Sequence, residues 1–160
     1  MTRRMARTTA GDGTGAPAGG GEGPLTERVA EAVADSSEPV TDTDRADLAE
    51  LLPLIRRHAA QQGLVLDEER QLAVAVHALA FVRRVRHGER LDPLADELYA
   101  EVPGALLTAA RQLVDAYCTP RGHTAPDSEV LLLALHFAVA RHTGPGARPG
   151  DTETTRGAQA

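Results

Sequence analysis

The sequence predicts an all-α fold, a five-helix bundle with disordered N- and C-terminal tails. Apolar side chains recur at helical spacing in five successive segments, and Gly or Pro separates one segment from the next. No stretch alternates apolar and polar residues with the period of two that a half-buried strand requires.

The first of these helices carries Leu48, Leu51, Leu52, Ile55 and Ala59 on one face and ends at Gly63. Pro53 lies inside that pattern, so the helix is expected either to begin there or to kink. Asp67, Glu68 and Glu69 place acids at the positive end of the second helix dipole. Its expected apolar face is Leu72, Ala73, Val76, Ala80 and Phe81, with Gly88 as its stop. Asp92-Pro93 opens a short third helix with Leu94, Leu98 and Val102. Pro103-Gly104 leads into a fourth, whose stripe is Leu106, Leu107, Ala110, Leu113, Val114 and Tyr117. Thr124 and Asp127 have capping-box spacing, with Pro126 in the first turn of the fifth helix. That helix, Val130 to Ala140, is apolar nearly all round and needs burial on most sides, against its own bundle or a second subunit.

The ends read differently. Residues 8–24 hold seven Gly and two Pro with no large apolar side chain, too little to offset the entropy of ordering them. The expected division is a Gly-rich disordered region over 1–45, a helical domain over 46–143 and a disordered tail over 144–160. Within the first region Leu25, Val29 and Val33 leave room for a short helix over 25–34, followed by a polar linker from Asp35 to Asp44.

Of 160 residues 17 are basic, all Arg, and 23 are acidic, for a net charge of −6. That balance argues against direct nucleic-acid binding, which needs clustered positive charge. No run of eighteen apolar residues suits a membrane span, and no apolar core follows the three Arg near the start as in a secretory signal. The expected location is the cytoplasm. Cys118 is the single cysteine, so neither an intramolecular disulfide nor a multi-cysteine metal site can be built.

Two of the six histidines stand apart. His77 sits among Ala73, Val76, Ala80 and Phe81, and His136 lies within the most hydrophobic segment of the chain. Such imidazoles are either core residues satisfied by hydrogen bonding or functional groups at an accessible seam. No His-x-x-His, Glu-x-x-His or His-x-x-x-His pair surrounds either one, so no metal and no other cofactor is expected. No nucleophile elbow or phosphate loop is present, so no catalytic residue is assigned and the chain is read as a non-enzyme. Arg83, Arg84 and Arg86 read as a solvated helix end or as partners for an anion, since guanidinium forks suit phosphate oxygens. Glu129, seven residues before His136, orients an imidazole or complements the first turn of its helix.

Together these segments resemble the PTS regulation domain (PRD), a five-helix module of bacterial regulators controlled by the sugar phosphotransferase system. The resemblance rests on Leu72-Ala-Val-Ala-Val-His77-Ala-Leu-Ala-Phe-Val-Arg-Arg84, Leu91-Asp-Pro-Leu94, and Pro126-Asp-Ser-Glu129 leading into Leu133-Ala-Leu-His136-Phe-Ala. It covers Asp47 to His142, and the 59-position separation of the histidines suits the paired regulatory histidines of that family. It implies phosphorylation of His77 and His136, with Arg83, Arg84 and Glu129 as neighbours of the phosphate or the rings. It further implies a homodimer, the phosphocarrier protein HPr or a sugar-specific PTS protein as donor, and a downstream protein partner. Asp92 stands where Asn is common, and Val76 rather than Asp precedes His77. The segment before the bundle is too poor in apolar residues for the nucleic-acid-binding domain usual in such regulators, so the expected protein is a stand-alone PRD.

Overall fold

The computed structural model describes residues 22–142, and the expected disorder of 1–21 and 144–160 lies outside the described residues. Six α-helices follow in order: α1 Glu22–Ala32, α2 Asp42–Gln61, α3 Glu68–His87, α4 Asp96–Ala100, α5 Gly104–Cys118 and α6 Asp127–His142. A single 3₁₀ turn, Thr119–Arg121, extends α5, and no strand occurs among the described residues. The all-α class is therefore as the sequence predicts.

The five expected helices are α2 to α6, and the short N-terminal helix is built into the bundle with them. Leu25 and Val29 of α1 are buried in the same core as Leu48, Leu51, Leu52, Ile55 and Ala59 of α2. Helical packing thus begins before residue 46, with α1 against α2 and α3. A helix of eleven residues is marginal alone, and the tertiary burial of its apolar face supplies its stability.

Local chemistry sets the boundaries. Thr41 and Asp44 form a reciprocal capping box at the start of α2: each side chain accepts the other's backbone N–H, at 3.1 and 3.0 Å. The helix runs through Pro53, which neither starts it nor ends it. Pro53 and Ala49 are both exposed, so water reaches the carbonyl that proline leaves without a donor. Asp67 caps α3 by accepting the Arg70 N–H at 2.8 Å. Gly88 ends α3 in the left-handed region at φ 67°, and the next N–H, from Glu89, closes back on the Arg84 carbonyl at 2.8 Å.

Three details depart from the sequence reading. The buried face of α3 is Val74, Ala75, Ala78, Leu79, Phe81, Val82 and Val85, while Ala73 and Ala80 are exposed and Leu72 and Val76 half-buried. Because α3 packs against α1, α2 and α6, it is apolar on more than one side, and periodicity picks out the wrong stripe. The short helix starts at Asp96 rather than at Asp92-Pro93, and none of its residues is buried. The proposed Thr124–Asp127 box does not form: α6 starts at Asp127, just after Pro126, and Thr124 makes no hydrogen bond among the described residues.

With few aromatics the core is Leu, Val and Ala around Phe81, Tyr117 and Phe137. The Phe81 and Tyr117 rings lie 5.8 Å apart, and the Arg121 guanidinium covers Tyr117 at 3.7 Å. Cys118 is buried at the end of α5 as a free thiol.

Candidate functional site

α3 and α6 pack against each other and carry the site. Arg84 follows His77 by seven residues on α3, and Glu129 precedes His136 by seven on α6. Seven residues make nearly two helical turns, so each pair shares one face, separated by about 10.5 Å of rise. The helices run antiparallel here, so the two pairs meet as rungs: Arg84 on Glu129, and His77 on His136.

At the first rung the guanidinium is bidentate: Nε donates to Glu129 Oε1 at 2.5 Å and Nη2 to Oε2 at 2.9 Å. Glu129 is only 2% exposed and Arg84 20%. At the second rung the imidazole centroids are 5.3 Å apart with planes tilted by 42°. A cavity of about 10 Å³, close to the least space that holds one water, joins the rungs; His77, Glu129, Phe81 and Leu133 are among its walls.

Both rings are half-buried, and neither makes a hydrogen bond to another described residue. No buried side-chain nitrogen among the described residues lacks a partner, so the ring nitrogens of His77 and His136 open to solvent at the seam. The rings are thus not sealed in the core and satisfied there by hydrogen bonds. Burial, then the His136 ring, then the Arg84 guanidinium push the His77 imidazole down to about 4. Burial, followed by the Arg70 guanidinium, also lowers His136. Both imidazoles are therefore neutral at pH 7, each with a lone pair on one nitrogen.

This has a measurable consequence. Above pH 6.5 His77 is neutral folded or unfolded; below it the unfolded ring takes a proton that the folded ring refuses. Stability should thus fall as pH drops from 6.5 to about 4, where the folded ring also protonates. His77→Gln is expected to flatten that part of a plot of Tm against pH, and His77→Gln/His136→Gln to flatten it further. An undiminished slope in the double variant contradicts this account.

Arg83 does not join the histidines. It is committed to Asp44 of α2, with Nη2 at 2.7 Å and Nε at 3.2 Å, and to the carbonyls of Glu38 and Pro39. Two residues bear on the sites that sequence reasoning passed over. Arg70 stands seven residues before His77, a signal already present in the spacing. Asp44, assigned to a polar linker, is 1% exposed and binds both Arg83 and Arg86; the Thr41-x-x-Asp44 capping spacing marks it. Among the described residues no three His, Cys, Asp or Glu side chains are grouped to hold a metal ion. No described helix is long and apolar enough to cross a membrane. No family model, curated protein or solved structure matches this chain.

Proposed function

We propose that this chain is a regulatory module of the PRD type, phosphorylated on His77 or His136 and acting through altered association. The observation that carries the reading is the approach of the two rings to 5.3 Å from positions 59 apart in the sequence. Two neutral imidazoles at a solvent-reached seam suit phosphoryl acceptance better than a sealed core does. In the step, the unprotonated ring nitrogen attacks phosphorus of a ring-protonated phosphohistidine on a carrier such as HPr. The new N–P bond forms as the donor N–P bond breaks, and the electron pair stays on the donor, leaving its imidazole neutral. The accepting ring keeps its own N–H. The module itself is a non-enzymatic cytoplasmic switch.

The faces around the rings suit a second copy of the chain. Ala73 and Ala80 are exposed and Val76, Leu132 and Leu135 half-buried, so small and apolar groups border the seam. A phosphoryl group there adds about two negative charges, enough to separate or re-pair such an interface. The same border supports a second reading, an obligate dimer that keeps the fold without the switch.

Incubating the full chain with HPr and the phosphotransferase cascade is expected to add phosphate, detected by intact mass, and to change the mass measured by light scattering. Full labelling of His77→Ala/His136→Ala would overturn the assignment. An unlabelled wild type whose dimer is unmoved by either substitution favours the second reading.

A further inference from the structure

We propose that His77 and His136 form a binding site for one divalent transition-metal ion of the zinc class, with one imidazole from α3 and one from α6 as its two protein ligands. The inference goes beyond the phosphorylation reading and does not need it: the two rings can hold a metal whether or not either accepts phosphate.

The spacing of the rings carries the argument. A zinc–nitrogen bond of about 2.0–2.1 Å puts the centre of each coordinated imidazole about 3.2 Å from the ion. Two such rings at the tetrahedral angle have centres about 5.2 Å apart, and at a right angle about 4.5 Å. The His77 and His136 centroids stand at 5.3 Å, the spacing of two ligands on one tetrahedral ion. No hydrogen bond to a described residue fixes either ring, so rotation about χ2 can bring a nitrogen of each to a common point. Each neutral imidazole has one unprotonated nitrogen, the form that binds a metal.

The backbone holds the pair in place. Both residues lie well inside long helices that pack against each other, so the folded chain presents the rings together without a loop to order. Sequence spacing looks for ligands one turn apart on a single helix and passes over this pair, which forms between two helices. Among the described residues no third His, Cys, Asp or Glu completes a cage, so the remaining positions of the ion face solvent at the seam. Arg84, on the same stripe of α3 as His77, is matched by Glu129 and brings the seam no net charge. Arg70 opposes positive charge on His136, so the site binds more weakly than its two ligands alone would. A bound ion clamps α3 to α6. It stabilises the fold, because the unfolded chain carries these histidines 59 positions apart.

The test uses the full chain without an affinity tag, stripped with a chelator, then titrated with zinc chloride by calorimetry and with cobalt chloride by visible absorption. One zinc ion is expected per chain, with a rise in Tm, and cobalt should show the intense d–d bands of tetrahedral coordination. His77→Ala and His136→Ala should each weaken zinc binding by more than about tenfold and remove the rise in Tm, since even a partner behind the ligands is worth that much. His87→Ala, at the exposed end of α3 beside Glu89, should match the wild type. Helical circular dichroism checks that each variant is folded, and the His→Gln variants serve where an alanine variant is not. No saturable zinc binding, octahedral cobalt bands, or binding indifferent to both seam variants overturns this inference and leaves the proposed function standing. Failure of phosphotransfer to both rings overturns the proposed function and leaves the metal site standing.

Discussion

Arg84→Met is expected to destabilise the fold by about 3–5 kcal/mol, more than removal of its partner Glu129. The asymmetry follows from exposure. Without Arg84, the Glu129 carboxylate stays 98% buried beside Phe81, Leu133 and His77, with neither the pair nor water to compensate its charge. Without Glu129, the head of Arg84, whose side chain is already 20% exposed, can turn along its aliphatic stem toward solvent. Glu129→Gln should accordingly cost about 1–2 kcal/mol, within the range for losing a charged hydrogen-bond partner. The double variant Arg84→Met/Glu129→Leu should recover most of the loss, because apolar groups of similar volume need no pairing. Urea unfolding followed by circular dichroism, with Glu129→Leu as the second single variant, measures all four members of this cycle. A double variant as unstable as the summed singles contradicts the coupling.

The all-α class and the spacing within the candidate site were legible in the sequence; the packing that brings the spaced residues together was not. Seven-residue spacing places Arg84 with His77 and Glu129 with His136, and the antiparallel packing of α3 and α6 turns those intervals into two rungs. What spacing cannot supply is which helix faces which. Arg83 and Arg84 are adjacent in sequence, yet about 100° apart around the helix, so one reaches Glu129 and the other Asp44. The buried stripe of α3 escapes periodicity for a related reason. An apolar helix touched on several sides has no single face for periodicity to find. Helix α1 falls outside the expected domain because it is short and follows a Gly-rich segment, while Leu25, Thr26 and Val29 are buried in the structure. Its inclusion depends on distant partners in α2 and α3, which local propensity does not register.

Those features meet at Asp44. Asp44→Ala is expected to cost about 3 kcal/mol at pH 7, as for breaking a buried ion pair. Oδ2 accepts the Thr41 N–H at 3.0 Å and the Arg83 Nη2 at 2.7 Å, and Oδ1 accepts Arg86 Nη2 at 2.9 Å. The same Arg83 nitrogen also holds the Glu38 and Pro39 carbonyls at 3.1 Å, so this carboxylate ties the α1–α2 connection to α3. Its removal should loosen α1 as well as the start of α2. Burial alone would raise the Asp44 carboxyl; the bonds from Arg83, the Thr41 N–H and Arg86 outweigh it and hold the group well below its ordinary 3.8. The sign follows. A depressed carboxyl contributes its full stability above 3.8, and the contribution is withdrawn as the pH falls further and the unfolded chain takes up the proton first. Unfolding free energies of wild type and Asp44→Ala should therefore differ by a constant amount from pH 7 to about 5 and converge below about pH 4. Asp44→Asn, which keeps an acceptor for Thr41 but not the charge, should lie between them at neutral pH. A wild-type advantage that persists unchanged to pH 3 would show that the side chain acts through its shape and capping bond, not through its charge on Arg83 and Arg86.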